Sequence, residues 1–388
     1  MDETPRANRV HIAFFGKTNA GKSSVINRIT GSDLALVSNV AGTTTDPVYK
    51  SMELLPMGPV VFIDTAGLDD ATELGQARLK KTEEVVDKTD IAVMVVRAGD
   101  TDLSAEQEYA QKLRQKKTPV IFAYNIFSEA DRKNIKTDEN SVVINAQTGE
   151  GIDALKKKIS EQAGGDELES ITGDMVKPGD TVLLVMPQDV QAPKGRLILP
   201  QVQVIRDLLD NSCKIVMVKT EDLASMLEDL KHPPALVITD SQVFKYVNEH
   251  LDKDIPLTSF SMLMAKNKGD IEKLVKGARA IASLVPGDRV LIAESCTHHA
   301  QKGDIAREKL PKWLEEYVGG PLEFDTVAGH GFAEDISKYK LILHCGGCMI
   351  NRKNMLSKME TAEKNGVPIT NFGVAIAFLH SMLDRVTW

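Results

Sequence analysis

The chain has 388 residues, enough for about two or three domains, and its 42% apolar and 26% charged content is that of a soluble globular protein. A net charge of −8 and 5% aromatic residues supply neither an electrostatic footprint nor stacking platforms, so no nucleic-acid partner is expected. The opening MDETPRANRV lacks an apolar signal core and no run approaches a membrane span, which predicts a soluble cytoplasmic protein with no membrane partner.

The apolar run Val10 to Phe15 reads as a buried strand and leads into Gly16-Lys17-Thr18-Asn19-Ala20-Gly21-Lys22-Ser23, a G-x-x-x-x-G-K-[ST] loop opening a helix. Such a loop wraps backbone N–H groups around a β-phosphate and aims a helix N-terminus at it. Lys22 is expected to bridge β- and γ-phosphates, and Ser23 to hold Mg²⁺, with Gly16, Asn19, Ala20, Gly21 and Ser24 completing the cradle. Thr43-Thr44-Thr45 lies in a polar loop where a mobile switch would place a hydroxyl on the Mg²⁺. The strand Val60 to Ile63 ends at Asp64-Thr65-Ala66-Gly67, where Asp64 can reach the Mg²⁺ shell and the Gly67 N–H the γ-phosphate. Further strands at 91–96, 120–124 and 142–144 alternate with helices near 82–88, 104–116 and 152–162. Residues 1–165 therefore read as a P-loop nucleotide switch on a doubly wound, mostly parallel sheet.

G-K-T-N-A-G-K-S-S, A-G-T-T-T-D-P-V and D-T-A-G-L together resemble the GTPases grouped with the tRNA-modification GTPase. That resemblance implies GTP as substrate and a K⁺ ion held by Asn19 beside the phosphates, where other GTPases use an arginine finger. It implies potassium-stimulated turnover, with Lys22, Asn19, Thr44 and Gly67 as the catalytic set. The usual water-positioning glutamine after D-x-x-G is replaced by Leu68, so intrinsic hydrolysis should be slow. The guanine-recognition motif N-K-x-D is here Asn125-Ile126-Phe127-Ser128, and Ser128 offers no carboxylate to the base. Glu129 and Asp131 are the substitutes available after a loop shift, and Asn145-Ala146-Gln147 keeps only the usual alanine, Ala146. The expectation is GTP binding with weaker affinity or looser base choice.

After a polar linker, residues 175–268 alternate strand-like runs at 182–186, 215–218 and 235–238 with helical patterns at 202–209, 223–230 and 243–250. This is a small α/β unit without a catalytic constellation, so assembly is its expected role. Lys194 and Arg196 read as a solvated pair, and Cys213 as a small core residue or surface thiol.

Residues 270–388 hold three of the four cysteines and five of the eight histidines. Two fragments each follow an apolar run: Cys296-Thr297-His298 after Val290 to Ala293, and His344-Cys345-Gly346-Gly347-Cys348 after Leu341 to Leu343. Both lie where a strand gives way to a loop, the edge at which open α/β sheets collect ligands. Three thiolates suit either a closed Cys₃His zinc site or an iron–sulfur cubane with one replaceable ligand, and the residues alone leave both open. Helices are predicted at 271–284, 309–318, 352–364 and 374–383, with strands at 322–327 and 367–370. His299, His330 and His380 read as surface or packing residues.

The C-x-H fragment followed by H-C-G-G-C, downstream of such a GTPase domain, resembles the FeFe-hydrogenase maturation GTPases. V-A-G-T-T-T-D-P-V-Y-K-S-M-E-L, A-P-K-G-R-L-I and P-A-L-V-I-T-D-S-Q-V extend the resemblance along the whole chain. It implies a 4Fe–4S cluster on Cys296, Cys345 and Cys348 with an exchangeable fourth position, for which His344 and then His298 are the candidates. It also implies a two-iron subcluster precursor as cargo and apo FeFe-hydrogenase as recipient. Two radical S-adenosylmethionine maturases would act upstream, the middle domain would mediate dimerisation, and the chain would assemble as a homodimer or a tetramer. GTP turnover would then gate partner binding or cluster release. The rival readings are an RNA-associated GTPase with a C-terminal structural zinc, and a plain electron-transfer module, which leaves the GTPase motifs without a purpose.

Overall fold

The computed structural model describes residues 6–31, 47–55, 57–69, 81–135, 137–163, 170–187, 197–295, 304–329, 332, 335–347 and 350–388. Thr43, Thr44, Cys296, His298, His299, His330, Cys348, Lys194 and Arg196 lie outside the described residues. The chain divides into two compact units, Met1–Glu167 and Leu168–Trp388.

In the first unit six strands form one sheet: β1 (Val10–Phe15), β2 (Val48–Leu54), β3 (Gly58–Asp64), β4 (Ile91–Arg97), β5 (Val120–Asn125) and β6 (Ser141–Ile144). Their spatial order is β2-β3-β1-β4-β5-β6. All neighbours are parallel except β2, which pairs antiparallel with β3 from Val48↔Asp64 to Leu54↔Gly58. The helices are α1 (Lys22–Thr30), α2 (Ser104–Gln115) and α3 (Ile152–Ala163), and residues 81–86 are also helical. Alternate residues of β1 feed opposite cores: Ile12 and Phe14 pack with Val25 and Leu155, whereas Ala13 and Phe15 pack with Val85 and Leu113. Each such fully buried side chain contributes roughly 1.5–3 kcal/mol. Both sheet faces are therefore covered, and the β1, β3, β4 and β5 C-terminal ends carry the loops that bear function.

The second unit holds two parallel four-stranded sheets. One has the order β10-β9-β7-β8, built from β7 (Thr181–Val185), β8 (Lys214–Val218), β9 (Leu236–Thr239) and β10 (Leu257–Ser259). Its helices are α4 (Leu199–Asp210), α5 (Leu223–Asp229), α6 (Phe244–Glu249) and α7 (Phe260–Lys268). The other has the order β12-β11-β13-β14, from β11 (Arg289–Glu294), β12 (Glu323–Ala328), β13 (Leu341–His344) and β14 (Ile369–Asn371). It is accompanied by α8 (Ile271–Arg279), α9 (Leu310–Val318), α10 (Arg352–Lys364) and α11 (Phe372–Leu379). One apolar cluster joins the two sheets, running from Leu183 and Val237 through Leu274 and Ala278 to Leu291, Ile342 and Met355. The helix expected over 271–284 stops at Arg279 and tightens into a 3₁₀ turn, Ala280–Ser283. Three elements escaped the sequence reading: β2, the three-residue β10, and α7, whose hydrophobic residues lie on all sides and so show little amphipathic period.

Candidate functional site

The loop between β1 and α1 is the P-loop. Gly21, the residue before α1, has φ 95, and a Cβ there would lie 2.3 Å from the Asn125 Nδ2, so only glycine fits. Asn19 also adopts a positive φ of 61, which asparagine tolerates better than most residues. Lys22 is buried and folds back on the loop, donating to Gly16 O at 3.0 Å and Lys17 O at 2.9 Å. Burial lowers the pKa of its ammonium, against the opposing charges of Asp64, Asp69 and Glu106. Ser23 Oγ donates to Asp64 Oδ2 at 2.5 Å, and burial raises the Asp64 carboxyl despite that bond and the Lys22 charge. Asp64 Oδ1 is buried with no hydrogen-bond partner among the described residues. A hydroxyl and an unpaired buried carboxylate oxygen together fit a divalent cation with oxygen ligands, so Ser23 and Asp64 would hold Mg²⁺ and neutralise phosphate charge there. Ser24 follows on the half-buried first turn of α1, and Ala20 is buried beneath the loop.

Two contacts around the loop carry no sequence signal. Asp69 Oδ1 accepts from the Thr18 backbone N–H and hydroxyl, while Leu68 N–H donates to Gly16 O at 3.2 Å. A Cβ on Gly67 would lie 2.2 Å from Thr18 Oγ1, so the D-x-x-G segment rests directly on the P-loop. On the other flank, Lys17 Nζ lies 3.5 Å from Glu106 Oε2 and donates to the Asp102 carbonyl. Glu106 is fully buried at the start of α2, and among the described residues neither of its oxygens has a hydrogen-bond partner beyond that ion pair.

The base-recognition segment is joined to the P-loop by Asn125. Its Nδ2 donates to Ala20 O at 3.1 Å and its Oδ1 accepts from Ala146 N–H at 3.1 Å. The proposed substitutes for the missing carboxylate are otherwise engaged. Asp131 Oδ2 accepts from the Phe127 and Ser128 N–H groups at 3.0 and 2.8 Å, capping the 3₁₀ turn Glu129–Asn134. Glu129 pairs with Arg132 at 2.9 Å. Neither reaches toward a base in this arrangement, because each satisfies local donors first.

In the second unit β11 and β13 are neighbours, with Ala293 opposite His344, and Cys345 N–H donates to Ala293 O at 2.9 Å. Ser295 N–H donates to Cys345 Sγ at 3.1 Å, so the residue preceding Cys296 lies against the Cys345 sulfur. Cys345 is a half-buried free cysteine. An N–H aimed at an accessible sulfur suits a thiolate ligand, as iron–sulfur centres use. Among the described residues no group of three or more His, Cys, Asp or Glu side chains forms a metal site. His344 is fully buried: its Nδ1–H donates to Cys345 O at 2.7 Å and its Nε2 accepts from Lys358 Nζ at 3.2 Å. Burial, then the Lys358 charge, push its pKa down to about 3 against the Cys345 carbonyl, so the ring is neutral and both nitrogens are engaged. Cys213 is buried in the apolar cluster beside Val204 and Leu208.

Three segments of the chain match families of known proteins, two of them within the second unit. Residues 11–126 match a family model described as 50S ribosome-binding GTPase, and the N-terminal unit is a P-loop GTPase domain. Residues 171–269 match the hydrogen maturase F dimerization domain and residues 272–387 the hydrogen maturase F tetramerization domain. The chain belongs to the hydrogen maturase F family. Two of the three matched segments are thus of kinds described by self-association. Among curated relatives, the tRNA modification GTPase MnmE of Legionella pneumophila (strain Corby) is 36% identical over 153 residues, 38% of this chain and 33% of the relative. MnmE of Laribacter hongkongensis is 30% identical over 159 residues, 40% of this chain and 35% of its own. The chain spans about a third of the length of the curated relatives it matches. Among solved structures, Aquifex aeolicus Era bound to GDP and AlF₄⁻ aligns with 18% identity and a TM-score of 0.36, covering 54% of this chain and 92% of that one. No helix among the described residues is long and apolar enough to cross a membrane.

Proposed function

We propose that this chain is a GTP-hydrolysing scaffold of FeFe-hydrogenase maturation. Its 4Fe–4S cluster would be held by Cys296, Cys345 and Cys348, with one exchangeable position. The observation that supports this reading is the Ser295 N–H donated to Cys345 Sγ, by which the end of β11 meets the H-C-G-G-C loop. The family match supports it. A cluster bound there would supply an open iron site for cargo, and this chain's residues would do the rest. Ser295 donates to the sulfur and His344 fixes the Cys345 carbonyl through Nδ1; with both His344 nitrogens engaged within the chain, His298 is the candidate for the fourth position. The two-iron precursor would be carried there to apo-hydrogenase after the two radical S-adenosylmethionine maturases have acted. Residues 175–268 would dimerise the chain and residues 270–388 would bear the cluster.

In the GTPase domain, Gly16, Ala20, Gly21, Lys22, Ser23 and Ser24 would cradle the phosphates. Ser23, Asp64 and Thr44 would hold Mg²⁺, with Thr43 and Thr44 closing over it. Gly67 would meet the γ-phosphate, Asn19 would hold K⁺, and Asn125 and Ala146 would meet the base. Lys22 must leave Gly16 O and Lys17 O to meet a phosphate, and the buried ammonium then gains an anionic partner in place of two carbonyls.

Anaerobic reconstitution of the full chain and of Cys296→Ala, Cys345→Ala and Cys348→Ala, with iron counted and EPR recorded, tests the reading. Loss of the cubane signal in each variant is expected. A colourless wild-type protein that retains zinc instead would overturn it.

A further inference from the structure

The first turn of α2 carries a carboxylate where the helix's own pattern calls for an apolar side chain. Glu106, Tyr109, Ala110 and Leu113 recur at three- and four-residue spacing and are the buried residues of that helix. Tyr109, Ala110 and Leu113 pack with Phe15 of β1, which fixes α2 against the strand that leads into the P-loop. Glu106 is fully buried, and its ion-pair partner among the described residues is Lys17, whose Nζ lies 3.5 Å from Oε2. A carboxylate stripped of water recovers only part of its lost hydration at that distance, so packing alone does not account for it.

Lys17 is the second residue of the P-loop. Its carbonyl accepts from Lys22 Nζ at 2.9 Å, so its backbone lies beside the ammonium that serves the phosphates. Its side chain instead faces Glu106 and donates to the Asp102 carbonyl. Asp102 is itself tied to the start of α2, its Oδ1 accepting from Ser104 N–H at 3.0 Å. The loop thus has two ammoniums, one placed for phosphate and one withdrawn to the α2 flank. On its flexible four-carbon stem, a Lys17 ammonium released from Glu106 would turn to the next available anion, which in a nucleotide complex is the phosphate chain.

We propose that Glu106 is a positioning residue that acts through Lys17: by holding the second P-loop ammonium on the α2 flank, it keeps nucleotide affinity down and nucleotide release fast. This lies within the GTPase domain and is independent of the cluster reading above. GTP and GDP should both feel it, because both place phosphates in the loop.

The test uses the full-length chain with Mg²⁺, as wild type, Glu106→Gln, Lys17→Gln and the double variant. Glutamine keeps the shape of Glu106 and removes its charge. Folding is checked by circular dichroism and melting. Affinity for GTP and GDP is measured by titration calorimetry, and release is timed with a fluorescent GDP analogue. Glu106→Gln is expected to bind both nucleotides about fivefold more tightly, ~1 kcal/mol, and to release them more slowly. A residue that merely held the fold would give the opposite sign, because a loosened P-loop binds phosphate less well. In the Lys17→Gln background the same substitution should leave affinity unchanged. Equal or weaker affinity in Glu106→Gln overturns the inference. So does a gain that persists without Lys17, which would assign the effect to direct repulsion between Glu106 and phosphate. If Glu106→Gln does not fold, Glu106 is a fold residue and the inference falls as well.

Discussion

Asp69 is seated on Thr18: its Oδ1 accepts the backbone N–H at 2.7 Å and the hydroxyl at 2.8 Å. A carboxylate thus occupies P-loop donors that phosphate oxygens use in nucleotide complexes. Burial by itself would raise the Asp69 carboxyl, but the Thr18 bonds and the Lys22 charge outweigh it and hold it below the ordinary carboxylate range. An arriving triphosphate must displace this anion or bind beside it. Asp69→Asn removes the charge and is expected to tighten nucleotide binding by about fivefold, ~1 kcal/mol. Titration calorimetry with GTP checks this, and equal or weaker affinity in the variant rules out the competition.

Ser128 stands where guanine recognition uses a carboxylate, and Asp131 and Glu129 are tied to Phe127, Ser128 and Arg132. Aspartate is also a good residue at the start of a 3₁₀ or α-helical turn, so Ser128→Asp keeps the local cap. A restored charge-assisted contact is worth roughly 1.5–3 kcal/mol. The GTP-to-ATP affinity ratio of Ser128→Asp should therefore rise by at least about tenfold over wild type. An unchanged ratio would mean that the base lies elsewhere.

Asn19 holds an uncommon positive φ of 61 within the P-loop. If it binds K⁺ there, wild-type turnover in K⁺ should exceed that in Na⁺ by roughly tenfold or more. Asn19→Ala should be equally slow in both salts. Equal wild-type rates in the two salts would remove potassium from the mechanism.

Leu68 occupies the position of the water-orienting glutamine but is buried in an apolar cluster with Phe15, Ile63 and Val85. Leu68→Gln would bury an amide without a partner, at a cost of roughly 1–3 kcal/mol. The expected result is a lower melting temperature and turnover that stays slow. A large gain in kcat would show that the segment swings out when nucleotide binds.

How much was legible in the residues follows from which contacts are local. The P-loop is eight consecutive positions, so its strand, turn and helix could be read directly, and the apolar runs marked the strands of the three sheets other than β2 and β10. Short or unpatterned elements were not readable. A three-residue strand such as β10 has no measurable period, and α7 shows no single apolar face because it sends Met262 and Ala265 into one core cluster and Phe260, Leu263 and Met264 into another. β2 carries Lys50, Ser51 and Glu53 on an edge, so its antiparallel pairing with β3 shows no buried pattern.

By itself the sequence determined the chemistry on offer: a phosphate loop, the hydroxyl of Ser23 and the carboxylate of Asp64, and cysteines at the ends of apolar runs. Only the tertiary structure decided what stands against those groups. Thr18 and Asp69 are 51 residues apart, Lys17 and Glu106 belong to different loops, and Lys268 meets Gly347 across 79 residues. Such contacts are set by the order in which strands pair and by which cavity a buried charge must satisfy. Composition and spacing along one chain do not encode either until the sheets have formed.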